Sequence, residues 1–212
     1  RYPAVETFDG LVLWNRGLEG PLALPGNYLA TLTIGDFSQT VPVEVLADPR
    51  TNADIEALTE QFEFVQDINL KLTETHQAIR AIRELNQSIS QVEARAGDQP
   101  RFTELLERGD ALKTQLGEVE AALYQTSLES PQDPLNYPIR LNDKLAGVMG
   151  MAGFGDYPPT ASAIAVRDEL VSEIDAQLER LDQLIGTELP AFNLMAAETG
   201  LPAVTSSTSL PE

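Results

Sequence analysis

A single histidine and several pairs of carboxylates are the side chains in this sequence whose types could do chemistry. His76 is the only histidine. Base catalysis or transition-metal binding needs an imidazole with an orienting partner. His76 instead sits beside Thr75 in a long helical pattern, so it reads as a seam or surface residue. Glu104/Glu107, Glu118/Glu120 and Asp168/Glu169 are the paired carboxylates. Glycoside hydrolysis would need two such groups about 5–10 Å apart across a sugar-sized cleft. On the outside of a bundle nothing separates their pKa values, and they read as a solvated face. The Glu-x-x-His pattern of bundle di-metal sites is missing.

A denser polar set comprises Asp133, Asn136, Arg140, Asn142, Asp143 and Asp156. Oxygen ligands of this kind suit calcium, but the spacing of an EF-hand loop is not there. The expectation is that Arg140 pairs with an acid while the amides tie down loop backbone. Gly147, Gly150, Gly153 and Gly155 suggest a phosphate loop only superficially. No strand precedes them and no Gly-Lys-Ser/Thr follows, so close packing or a turn explains them better. Trp14 and Tyr28 could form part of a carbohydrate-stacking platform, or could be core aromatics on short strands. No residue is assigned a catalytic, cofactor-binding or metal-ligating role.

The elements that would position these residues are of two kinds. Residues 1–47 read as β. Leu11-Val12-Leu13-Trp14 is a short apolar run, and Pro25-Gly26 marks a turn. Tyr28, Ala30, Leu32 and Ile34 then alternate with Leu29, Thr31 and Thr33. Gly35-Asp36 turns the chain, and Gln39 to Leu46 supplies a partner strand with Val41, Val43 and Val45 on one face. Pro42 places that strand at a sheet edge. Three or four strands of this length make half a sandwich, with one face left uncovered unless helices or further strands pack on it.

After Asp48-Pro49-Arg50 the period changes. With Thr51 or Asn52 as cap, a helix is predicted from about Ala53 to Ala94. Its stripe is Ile55, Leu58, Phe62, Val65, Ile68, Leu72, Ile79, Ile82, Ile89 and Val92, the three–four alternation of a bundle seam. Gly97-Asp98-Gln99-Pro100 breaks it. A second helix follows, with Phe102, Leu105, Gly109, Leu112, Leu116, Val119 and Leu123 in heptad spacing, antiparallel to the first because the connection is short. Ile139 to Met149 forms a third helix. Thr160 or Ser162 starts a fourth along Ile164, Val171, Ile174, Leu178, Leu181 and Ile185, which Pro190 ends or kinks. Thr199 to Glu212 is rich in Ser, Thr and Pro and reads as a disordered tail. The fold class is therefore α+β: a small, partial Ig-like antiparallel β unit (1–47), then an antiparallel three- or four-helix bundle with long helices (48–198), then the tail (199–212).

Composition limits the partners. The 212 residues carry 14 basic and 33 acidic side chains, a formal net charge of -19. Residues 1–50 hold three of the bases and six of the acids, leaving 11 and 27 for the helical part. Nucleic acid and anionic membrane both need Lys and Arg to replace counterions, so neither is an expected partner. Cysteine is absent, which excludes disulfides, thiolate catalysis and Cys-based zinc sites. No apolar run reaches membrane-spanning length. The start at Arg1, without Met, reads as an end made by truncation or processing.

The phrase Asp133-Pro134-Leu135-Asn136-Tyr137-Pro138-Ile139-Arg140-Leu141-Asn142-Asp143-Lys144-Leu145-Ala146 resembles the C-terminal region of bacterial sortilin-like, Asp-box (BNR) repeat propeller proteins described as glycosyl hydrolases. Arg1-Tyr2-Pro3, the Gly20-Pro21 to Pro25-Gly26-Asn27-Tyr28 turn and Asp48-Pro49-Arg50 are similar to the same pattern, in matching order, from residue 1 to about 185. In such proteins a propeller precedes this region and would carry any active-site acids. The resemblance thus implies a non-catalytic accessory module that braces a propeller or mediates association, in an exported parent. No Asp-box lies in this chain, so no family active-site residue carries over. A glycan- or protein-binding module is the alternative, and a stand-alone hydrolase ranks last. The expected partners are the preceding propeller and, through the long first helix, a second copy.

Overall fold

The computed structural model describes residues 1–15, 17–97 and 99–205. The chain is α+β, a two-stranded antiparallel sheet followed by a helical bundle. Strand β1 spans Gly26–Ile34 and β2 spans Phe37–Val45. Their register runs from Ile34 opposite Phe37 to Gly26 opposite Val45, around a two-residue turn in which Gly35 takes a positive φ of 58°. That geometry matches the strand twist and favours glycine. A two-residue turn makes Ile34/Phe37 a hydrogen-bonded pair, and such pairs alternate. Pro42, opposite Leu29, thus falls where its backbone nitrogen faces outwards and costs no ladder bond.

Helix α1 spans Ile55–Ala96, α2 Thr103–Leu123, α3 Leu141–Ala152, α4 Ala161–Gln183 and α5 Leu189–Glu198. The 42 residues of α1 give a rod of about 63 Å at 1.5 Å per residue. Its cap is Asp54, whose carboxylate accepts from the Ala57 amide at 2.8 Å, rather than Thr51 or Asn52. Thr160 caps α4 as expected, accepting from the Ala163 amide. Pro190 neither ends nor sharply breaks the fourth helix. The chain passes through a π-turn, Leu184–Glu188, straight into α5. The wider turn relieves the interior bond that proline cannot donate, and Pro190 falls in the first turn of α5.

Ion pairs between helices fix their directions. Glu93 meets Lys113 and Arg83 meets Glu120, so α1 and α2 are antiparallel. Asp67 meets Arg167 and Lys71 meets Asp175, so α4 runs parallel to α1. Glu118 meets Arg180 and Arg108 meets Glu188, so α2 opposes the α4–α5 rod. Ile68, Leu72, Ile79, Ile82 and Ile89 of α1 are fully enclosed, with Phe102, Leu116, Leu123, Leu145 and Phe192 among the partners in one continuous core.

Two expectations need correction. Among the described residues the β unit holds two strands, not three or four. Leu11 to Trp14 pairs with no strand; it belongs to a strap, residues 1–15 and 17–25, wrapped on the bundle with Val5 and Phe8 buried. The stripe of α1 from Val65 onward packs against helices of its own chain. Thr199 also does not begin a loose tail. Val204 is buried, and its amide and carbonyl each bond the Asn193 side chain at 2.7 Å. Residues 206–212 of the expected tail lie outside the described residues.

Candidate functional site

The strap meets the bundle at a polar junction that brings together three of the residues singled out by type. His76 on α1 is fully enclosed. Its Nδ1 lies 2.7 Å from the Glu6 carbonyl oxygen and its Nε2 lies 3.3 Å from the Asn142 amide nitrogen. A carbonyl can only accept, so Nδ1 carries the proton and Nε2 accepts from Asn142. Burial, with the nearby Arg80 cation, pushes the imidazole pKa below its usual 6.5, although the Glu6 carbonyl pulls the other way. Phe8 packs edge-on at 5.2 Å.

Asp143 on α3 is the anchor of the next strap residues. Oδ2 accepts from the Trp14 amide at 2.8 Å, and Oδ1 from the Asn15 amide and the Asn15 side chain, both at 2.9 Å. Gly147, one turn on, leaves room for this docking, since a Cβ there would stand 2.9 Å from Asn15 Nδ2. Gly17 and Gly150 likewise approach closely, a Cβ on Gly17 falling 3.0 Å from the Gly150 Cα. The glycines of this region thus serve close packing. Tyr124 completes the hold, its hydroxyl donating to the Gly10 carbonyl and accepting from the Val12 amide. Arg83 lies over the Phe8 ring, 4.7 Å from its centre.

The other polar candidates are dispersed. Asp133 accepts from the Glu129 and Ser130 amides and the Ser130 hydroxyl, bonds that hold its carboxyl below the usual carboxylate range. Arg140 opens α3 but enters no ion pair among the described residues, contrary to expectation. Asp156 stands at a cleft by the end of α3. Glu118, Glu120 and Asp168 pair with Arg180, Arg83 and Arg167, while Glu104, Glu107 and Glu169 are exposed. Among the described residues no cluster of three His, Asp or Glu could hold a metal ion, and no helix is long and apolar enough to cross a membrane.

An apolar cleft lies where the hairpin leaves the bundle. This cleft, about 480 Å³, is framed by Pro21 to Pro25, the hairpin root Val45 to Asp48, and the ends of α1 and α3. Its walls are Leu24, Leu46, Leu58, Phe62, Val65, Met149 and Phe154; Arg1, Glu19 and Asp156 stand among them. Gln61 ties α1 to the end of α3 by donating to the Ala152 and Gly155 carbonyls, at 2.8 and 2.9 Å. Tyr2 stacks edge-on to Phe62 at 4.9 Å. Such a cleft binds through apolar contact and offers no matched acid and base.

From the cleft the hairpin runs outward. Tyr28, Ala30, Leu32 and Ile34 of β1 share a face with Phe37, Gln39, Val41, Val43 and Val45 of β2, as alternation and register require. That face is apolar and lies open, with Leu32 59%, Ile34 66% and Phe37 56% exposed. The opposite face carries Asn27, Thr31, Thr33, Ser38, Thr40 and Glu44, with Leu29 and Pro42 as its apolar pair. Trp14 and Tyr28 belong to separate elements, strap and hairpin, and do not make one platform. The alternation was readable in sequence, but Leu46 and Phe154 as cleft walls were not, because Leu46 reads as the end of a strand and Phe154 stands alone between glycines.

No protein-family model matches this chain, and comparisons with curated proteins and with solved structures likewise find no match.

Proposed function

We propose that this chain is a non-catalytic accessory module that works by contact: a rigid helical bundle presenting a hairpin and an apolar cleft to a neighbouring domain. The observation that carries this reading is the open apolar face of the hairpin, continuous with the cleft at its root. Contiguous apolar surface of this extent marks interaction sites in soluble proteins. The polar groups that do come together, His76, Asn142 and Asp143, are engaged in holding the strap on the bundle. The resemblance of residues 133–146 makes the neighbour a propeller of a larger, exported glycosyl hydrolase, which the module braces or helps to associate. Binding of a glycan or protein is the second reading, favoured by the cleft.

The test is to assay the larger protein against a glycan panel with and without this segment. Retained turnover with lowered stability or altered association is expected. Loss of turnover from a propeller that remains folded would mean that residues here complete an active site, and the reading would fall.

A further inference from the structure

We propose that the hairpin face is the contact between two copies of this chain, packed face to face and antiparallel, so that the tip of each hairpin seats in the root cleft of the other. This deepens the association part of the accessory reading and rests on it only in taking the hairpin as the contact surface. Four observations carry it. First, a two-stranded hairpin is marginal in water unless a face is covered, and this one leaves its apolar face open from Val43 to the tip, with only Tyr28 and Val45 half-buried at the root. Second, the face is self-complementary. The knob, Ile34 and Phe37, lies at one end, and the hole, a cleft of about 480 Å³, lies at the other. A two-fold axis between the sheets, perpendicular to the strands near Ala30 and Val41, brings each knob to the opposite hole, an isologous arrangement.

Third, the area suffices. At roughly 150–250 Å² for a large side chain, the open parts of Leu32, Ile34, Phe37, Val41 and Val43 amount to about 500 Å² per copy. Leu22, Leu46 and Phe154 at the cleft, 57%, 74% and 83% exposed, bring it near the ~800 Å² per partner of a stable interface. Fourth, charge selects this surface. The chain carries -19, yet residues 26–45 contain only Asp36 in the turn and Glu44 on the polar face. The strand faces thus meet without apposing charges, the tip's Asp36 coming to a cleft where Arg1 stands beside Glu19, Asp48 and Asp156, and the length of the hairpin holds the bundles apart.

Cysteine is absent from the chain, so introduced thiols report without background. The first measurement is sedimentation equilibrium over a range of concentrations and salt. A dimer is expected, tightened by salt because salt screens the repulsion between the bundles. Leu32→Glu should give a monomer with unchanged helical circular dichroism. In oxidised samples Val41→Cys should cross-link to its own kind at the axis. Phe37→Cys should not, since two copies of residue 37 would stand about 27 Å apart at 3.3 Å per residue. A mixture of Phe37→Cys with Leu46→Cys should cross-link as a heterodimer. A monomer at all concentrations, a dimer indifferent to Leu32→Glu, or a Phe37→Cys homodimer would each overturn the arrangement. A monomer would leave the bracing of a neighbouring domain standing, because that is read separately from the stability of the larger protein.

Discussion

His76 and Asp143 are the residues whose chemistry is spent on architecture. His76 is held neutral with both ring nitrogens bonded. Its folded pKa lies below the 6.5 of an unfolded chain. The unfolded state therefore takes up the proton first as pH falls, and stability declines. The contribution is fully present above about pH 6.5 and is lost as pH drops from there through the folded pKa. Urea melts of wild type and His76→Phe between pH 8 and 5 should show a decline in the wild type that the variant lacks. Parallel curves would mean that the imidazole does not report on folding. Asp48, held at about 2 by Arg50 against its usual 3.8, acts in a separate, lower window, its contribution being lost as pH falls from 3.8 through 2. Asp143→Ala would leave the Trp14 and Asn15 amides without their acceptor. A loss of about 3 kcal/mol in chemical denaturation is expected, and a loss below about 0.5 kcal/mol would show that water replaces the carboxylate. The sequence showed these side chains without their roles, because the strap that uses them arrives from more than sixty positions away.

At the scale of elements, legibility follows locality. Every heptad position read along α2, from Leu105 to Leu123, is buried. A helix facing one core writes its contacts into its own period. Thr160 was readable as a cap for the same reason. The strap was not. Leu11 to Trp14 has the composition of a strand, but its backbone amides at Val12 and Trp14 bond the Tyr124 hydroxyl and the Asp143 carboxylate. Only tertiary structure could decide between a ladder and those partners. The same holds for the end of the chain, where Val204 and Asn193 exchange two bonds that composition does not foretell. Ile82 lies at the centre of the shared core and is fully enclosed. Ile82→Asp would bury a carboxylate with nothing to pair it. Loss of the cooperative melt of the helices is expected; an unchanged melting temperature would show that α1 does not hold the core described.

At the scale of the whole molecule, a well-filled bundle supports a hairpin that has almost no cover of its own. The two parts should differ in local stability, since protection from exchange follows burial and contact density. Fast exchange across residues 26–45 and slow exchange along α1 and α2 are the expected pattern for the isolated chain at high dilution. Nothing in sequence alternation distinguishes a covered face from an open one, which is why the contact surface became visible only with the fold. If the chain functions by contact, the hairpin is the part that must change when a partner arrives. Hydrogen exchange of Leu29 to Val43 should therefore be measured in the dilute isolated chain and in the larger protein proposed to carry it. Slowed exchange across the hairpin in the larger protein, with α1 and α2 unchanged, is the predicted result. Equal and fast exchange in both would contradict the account, because the apolar face would then have no partner to cover it.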